Sequence, residues 1–218
     1  MDLTEAMTTQ RAIRRLKPDP VDDDVLLRCI ELAAKAPSGG NRQPVEYILV
    51  RDREVKAALA RQYRLAWQVY GGLARRLRGD HQRTRKIIDA VDWQVEHFEE
   101  VPVAIVVCMR GVSIPVPGVI RSSRYGSVYP AIQNLLLACR AEGLGAALTT
   151  LPVWSQWAAR RILGIPWNVE PVAVVPVGWP RGKYGPTTRR PAKKSVHVDR
   201  YGNRPFAKAA ARSRPGSR

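Results

Sequence analysis

Two short stretches hold the residue types that could do chemistry. The first is Ala36-Pro37-Ser38-Gly39-Gly40-Asn41-Arg42-Gln43-Pro44, where an alanine-rich amphipathic segment stops and an apolar run begins. Pro37 lacks an N–H and disfavours the helical region at Ala36, while Gly39 and Gly40 admit positive φ and close approach of a ligand. Ser38, Asn41 and Gln43 then offer hydroxyl and amide groups able to donate and accept toward one planar polar partner. Taken alone, the stretch reads either as such a ligand loop or as an ordinary helix-to-strand connection. The second stretch is Arg11-Ala12-Ile13-Arg14-Arg15. On a helix Arg11 and Arg15 stand at i,i+4 and point the same way, a two-armed clamp for an anion. The alternative is a solvated charged face.

The elements that must position these residues follow from periodicity. Leu3, Ala6, Met7, Ile13 and Leu16 predict a helix over residues 3–16, ended by Lys17-Pro18-Asp19-Pro20. Asp22, Asp23 and Asp24 open a second helix at the end the macrodipole favours, with Val25, Leu26, Cys29, Ile30, Ala33 and Ala34 as its apolar stripe. Val45 to Val50 reads as a strand. Residues 53–99 read as helical, broken at Gly71-Gly72 and Gly79-Asp80, and serve either as a cap over a site spanning 61–99 or as a packed layer. Val101 to Met109 is a short apolar run suited to a buried strand, and Arg110 to Arg124 a loop. Ser127 is expected to cap a buried central helix that stops at Gly143. Ala146 to Leu151 reads as a strand, Ser155 to Leu163 as a capped helix, and Val169 to Val177 as another buried strand. Strands alternating with helices make a mixed α/β layering, and connectivity alone favours a parallel sheet without excluding an antiparallel one.

Length and composition set bounds. A chain of 218 residues, 45% hydrophobic and 25% charged, suits one domain with a substantial core. Its net charge is +17, but residues 181–218 hold twelve Lys or Arg against Asp199 alone. The body is therefore ordinary in charge, and residues 207–218 are expected to form a basic disordered tail. Cys29, Cys108 and Cys139 each sit in an apolar segment without Cys-x-x-Cys spacing, so they read as reduced core residues and neither disulfides nor a metal site. The first residues lack the basic and apolar regions of a signal peptide, no window is long and apolar enough to span a bilayer, and a cytoplasmic location is the expectation.

Taken together, Arg11 to Arg15 with Lys17-Pro18, Ala36 to Pro44, Ala131-Ile-Gln-Asn-Leu-Leu-Leu-Ala138 with Gly143-Leu-Gly145, and Arg189-Arg190-Pro191 resemble the nitroreductase family of flavoenzymes, from about Thr9 to Phe206. The resemblance implies an α+β, nitroreductase-like three-layer fold, a mixed and mainly antiparallel sheet flanked by helices. It implies a single domain over residues 1–206 and an intertwined homodimer with FMN at the subunit interface. By the same resemblance Arg11 and Arg15 hold the FMN phosphate and the ring edge, with Ala12 and Ile13 along the ribityl chain. Many relatives carry Ser where Ile13 stands, which passes that contact to backbone or to Arg14. Pro37, Ser38, Gly39, Gly40, Asn41 and Gln43 reach the flavin across the interface, and Val45 stands where an aromatic residue is common. Leu148, Thr149, Thr150 and Leu151 lie against the ring, with a backbone N–H near flavin N5. Arg189, with Arg190 beside it, completes the phosphate site.

This set implies an oxidoreductase in which flavin N5 carries the chemistry and no side chain is assigned as catalytic. NADH or NADPH delivers hydride, and an electron-poor acceptor such as a nitroaromatic or quinone takes it. The alternatives on the same scaffold are dehydrogenation, dehalogenation and cofactor metabolism. The absence of Ser-His-Asp, Cys-His or metal-ligand groupings fits a site whose cofactor does the redox work. A third reading, nonspecific nucleic-acid binding, rests on the sequence pI of about 10.6 alone.

Overall fold

The computed structural model describes residues 1–77, 82–111 and 118–207. The chain forms two compact units, Met1–Gly185 and Pro186–Arg218. In chain order the first unit holds α1 (Leu3–Thr9), α2 (Asp23–Ala33), β1 (Val45–Val50), α3 (Arg53–Leu77), α4 (Gln82–Glu96), β2 (Val103–Arg110), α5 (Gly118–Gly126), α6 (Tyr129–Ala141), β3 (Gly145–Ala146), α7 (Gln156–Leu163) and β4 (Val169–Gly178). The Gly79-Asp80 break and the tail from residue 208 lie outside the described residues.

The four strands form one sheet in the order β1-β2-β4-β3, and every pairing is antiparallel. The sheet is therefore not parallel, as connectivity alone favours, but antiparallel as the resemblance implies. The reason is visible in β2. Val103, Ile105, Val107 and Met109 face a core built with α2 and α6, whereas Ala104, Val106 and Cys108 face a second core with Leu59, Tyr63, Phe98 and Ala159. A strand covered on both faces is apolar throughout whatever its direction, so its sequence cannot report that direction. The register between β2 and β4 shifts at Val107/Cys108, where Pro171 cannot supply a ladder N–H.

Helices cover both faces, which gives three layers. On one face Leu26, Cys29 and Ala33 of α2 meet Ile132, Leu135 and Cys139 of α6. On the other face lies the α3–α4 pair, tied by the Trp67 indole, which donates to Asp92 Oδ1 at 2.6 Å, and by Arg75, which donates to the same oxygen at 2.7 Å. Lys56 Nζ, almost fully buried, donates to the Val101 carbonyl at 2.7 Å and pins the start of α3 to the approach of β2. No helix among the described residues is long and apolar enough to cross a membrane.

Several local expectations change. Gly71-Gly72 does not break α3; a Cβ on Gly71 would stand 2.8 Å from Trp67 Cε2, so the glycine makes room for the indole one turn earlier. Part of the expected loop after β2 is helical as α5. Ser127 does not cap α6, which starts after Val128; its hydroxyl accepts from Gly39 N–H at 3.2 Å instead. Ser155 does cap α7, accepting from Ala158 N–H. The expected strand from Ala146 to Leu151 keeps regular pairing only at Gly145–Ala146, then a single bridge from Thr149 to Val174, and turns at Leu151–Val153 into a short 3-10 turn.

The largest change is at the start. Helix α1 ends at Thr9, where Thr8 and Thr9 bond their hydroxyls to carbonyls in the preceding turn and Gln10 turns extended. Residues 11–17 then lie along the sheet end. Ile13 N–H donates to Ala146 O at 3.0 Å, Lys17 N–H to Trp179 O at 2.8 Å, and Arg181 N–H to Arg15 O at 3.0 Å. Glycines allow that approach. A Cβ on Gly145 would stand 2.6 Å from Leu16 Cδ2 and 2.8 Å from Ile13 Cγ2. Ile13 is β-branched and yields poorly. Gly145→Ala is expected to destabilise the protein by about 1–3 kcal/mol through overpacking, read as a lower midpoint in a urea melt. An unchanged midpoint would mean that the basic segment moves away at no cost.

Candidate functional site

The extended segment and the strand end meet in a cleft of about 360 Å³ under the α3–α4 pair. Arg14, Tyr63, Gln94, Thr149 and Thr150 are among its polar lining, while Trp67, Tyr70, Ile87 and Val91 belong to its apolar wall. Once residues 11–17 are extended, the i,i+4 argument no longer selects Arg11 and Arg15. Both are exposed with Ala12, Ile13 is half-buried, and Arg14 is the arginine that enters the cleft.

The electrostatics of that cleft are one-sided. Burial lowers the pKa of Arg14, opposed by Tyr63. No carboxylate stands within ion-pair distance of Arg14 among the described residues, and none lines the cleft. A partly buried cation without a counter-ion favours an anionic or electron-rich occupant. Burial raises the pKa of the Tyr63 phenol, with a hydrogen bond to Thr149 and the charge of Arg14 pulling the other way. Tyr63, 1% exposed, donates to Gln94 Oε1 at 3.3 Å. The Gln94 Nε2 on the other side of that amide has no acceptor.

At the strand end, Thr149 spends both backbone groups on Val174, at 2.9 and 2.8 Å. The next two N–H groups, of Thr150 and Leu151, donate to no acceptor among the described residues. Leu148, Thr149, Thr150 and Leu151 thus line the cleft as a group with two backbone donors to offer.

The Pro37 to Gln43 loop lies elsewhere in the chain. Gly40, Asn41 and Gln43 have φ of 60°, 53° and 48°. Side chains hold this left-handed course: Gln43 N–H donates to Ser38 Oγ at 3.0 Å, and Gln43 Nε2 to Asn41 Oδ1 at 3.2 Å. Ser38 and Gln43 line a separate cavity of about 140 Å³ with Tyr47 and Ser127. Pro37 and Gly39 are exposed beside it. Within one chain, then, the loop does not share the cleft of Arg14. Arg189 and Arg190 belong to the second unit, where Arg189 Nη1 donates to Thr188 O at 3.1 Å and Arg190 Nη2 to Ser195 Oγ at 2.8 Å. In that unit His197 stacks on Tyr201, and in the first His97 stacks on Trp93, so both histidines are packing residues. His81 lies outside the described residues. No group of His, Cys, Asp or Glu suited to a metal ion occurs among the described residues.

The sequence profile of the Nitroreductase family matches residues 7–179. The chain belongs to that family. It is 28% identical over 200 residues to an NADH dehydrogenase of Thermus thermophilus, covering 90% of this chain and 95% of that one. It is 29% identical over 180 residues to a 5,6-dimethylbenzimidazole synthase of Rhodobacter capsulatus, covering 82% and 83%. Its fold is similar to that of an iodotyrosine deiodinase crystallised with FMN and 3-iodo-L-tyrosine, at TM-score 0.67, 22% identity, and coverage of 93% and 100%. Nitroreductase family membership thus spans relatives with different named activities.

Sequence reasoning reached Leu148 to Leu151, took Trp67 and Tyr70 as part of a segment that either caps a site or packs as a layer, did not single out Tyr63 or Gln94, and held Arg14 only in reserve. Arg14 was signalled by its place inside the basic motif. Gln94 was signalled by being an amide between Val91 and Val95, at a position of α4 that packs inward. In the smaller cavity the Tyr47 hydroxyl is buried without a partner, and burial pushes its pKa to about 12. An acid whose folded pKa lies above its unfolded value near 10 is neutral in both states below pH about 10, and it costs the fold stability as pH rises from there toward 12, where the unfolded state ionises first. Tyr47→Phe is expected to keep or raise stability at neutral pH, since it removes an unpaired hydroxyl, and to flatten the alkaline decline between pH about 10 and 12 in chemical melts. An equal alkaline slope in both proteins would overturn this.

Proposed function

We propose that the protein is an FMN-dependent oxidoreductase that works as a homodimer, with each flavin held between two copies of the chain. The observation that carries this reading is the donor-rich cleft at the strand end, which no carboxylate lines among the described residues. The residues present fit FMN there. Arg14 brings a positive charge with no ion-pair partner among the described residues, Thr150 and Leu151 offer backbone N–H groups, and Trp67 and Tyr70 give flat apolar walls.

Bound FMN would supply the two-electron step, taking hydride from NADH or NADPH and passing it to an electron-poor acceptor such as a nitroaromatic or quinone. The chain's own residues bind, orient and shield. Arg11 and Arg15 are exposed beside the cleft residue Arg14 and suit the phosphate, and the family pattern adds Arg189 and Arg190 of the second unit as candidate phosphate donors. Charge-assisted bonds of this kind contribute roughly 1.5–3 kcal/mol each. Ala12 and Ile13 line the ribityl chain. Leu148 to Leu151 back the ring and present an N–H toward its central nitrogen. Pro37, Ser38, Gly39, Gly40, Asn41 and Gln43 do not reach this cleft within one chain, so they serve the flavin of the second copy. That division explains why the loop holds its shape through its own hydrogen bonds.

A second reading keeps the flavin and changes the acceptor. It is favoured by relatives named as a deiodinase and as a 5,6-dimethylbenzimidazole synthase, whose activities are neither nitro nor quinone reduction. The α3–α4 pair, which forms the outer wall of the cleft, is where acceptor choice would be exercised.

The purified protein is expected to be yellow, with a flavin absorption spectrum that bleaches on anaerobic addition of NADH or NADPH. Arg11→Ala and Arg189→Ala should each weaken FMN binding by about 10- to 100-fold while changing riboflavin binding much less, because riboflavin lacks the phosphate. A colourless protein that takes up no FMN would overturn the proposal. Turnover with nitroaromatics, quinones and 3-iodo-L-tyrosine as alternative acceptors separates the two readings.

A further inference from the structure

Among the described residues, the Gln94 amide is the one buried side-chain group of the cleft whose hydrogen bonding is left half made. Its side chain is 1% exposed, its oxygen accepts from Tyr63, and its Nε2 is buried without an acceptor. A buried amide is kept at such a position when something outside the chain completes it, since an apolar residue of similar size would pack there without an unmet donor. The amide is also held in place. Trp67 and Arg75 both bond Asp92, two residues before Gln94, and fix α4 against α3. Tyr63 holds the oxygen end of the amide by donating to it, which turns Nε2 away from the phenol.

What the donor meets follows from its neighbours. Arg14, Gln94 and Thr149 carry donors that line the cleft, no carboxylate lines it among the described residues, and Trp67 and Tyr70 wall it. The matching partner is flat and carries acceptors along one edge. Resting on the FMN reading above, we propose that Gln94 is a positioning residue for the isoalloxazine: Nε2 donates to the carbonyl-bearing edge of the ring, and Tyr63 sets the orientation of the amide. Its partner is the ring and not the phosphate, so it acts on every flavin that carries the ring.

The test compares FMN with riboflavin, using fluorescence quenching for affinity and the absorption spectrum of the bound flavin. Gln94→Met keeps an unbranched side chain of similar volume and removes the donor. It is expected to weaken FMN and riboflavin by the same factor, about tenfold for one lost hydrogen bond, and to shift the bound flavin's absorption bands. The melting temperature of the flavin-free protein should stay level or rise. Tyr63→Phe keeps the ring and removes only the hydroxyl that orients the amide. It should weaken both ligands by a smaller common factor, and it carries the test if the Met variant does not fold. Unchanged affinities with a wild type that binds both flavins would overturn this inference and leave the FMN reading standing. A loss confined to FMN would also overturn it, because the amide would then serve the phosphate end. A wild type that binds neither flavin would overturn both.

Discussion

The arrangement depends on the backbone hydrogen bonds that lay residues 11–17 along the end of the sheet. Ile13 and Lys17 donate to Ala146 and Trp179, and Arg15 and Leu16 accept from the main chain and side chain of Arg181. A segment bonded on both sides has lost its helical option, however well its charges are spaced for one. Gly145 and Gly178 let it come close; a Cβ on Gly178 would stand 2.8 Å from Pro102. Through that contact a run of three arginines becomes a directed feature, with Arg14 in the cleft and its neighbours outside.

The two helical layers then take separate tasks. The α2–α6 side builds the larger core and receives the glycine loop at Ser127. The α3–α4 side closes over the strand end and contributes aromatic surface and the Tyr63–Gln94 pair. Since β2 is buried on both faces, the sheet is the common wall of both layers, and neither can shift against it without opening a core.

Much of this architecture was legible in the residues. The strands β1, β2 and β4 and the helices α2, α6 and α7 fall where periodicity puts them, α7 with its expected cap, because each is a local pattern with a local cause. The misreadings share another cause. Helix α1 was read too long because Ile13 and Leu16 suit a helix face as well as they suit the sheet edge, and only tertiary hydrogen bonds decide between them. Gly71-Gly72 looked like a break because nothing in sequence says that an indole occupies the space. Ser127 looked like a cap because a hydroxyl that serves a distant loop is the same hydroxyl. At the candidate site, the strand-end residues were legible from the family pattern. Gln94 was not, since a buried donor without a partner shows only once every buried donor of the folded chain is paired off.

The glycine loop has a consequence for association. Three of its residues, Gly40, Asn41 and Gln43, take left-handed torsions, two of them without the freedom of glycine, and their own side chains hold them there. The conformational cost of that bend is met when the single chain folds. A surface that is already rigid before encounter surrenders little disorder when another molecule docks on it, so more of the contact energy remains as affinity.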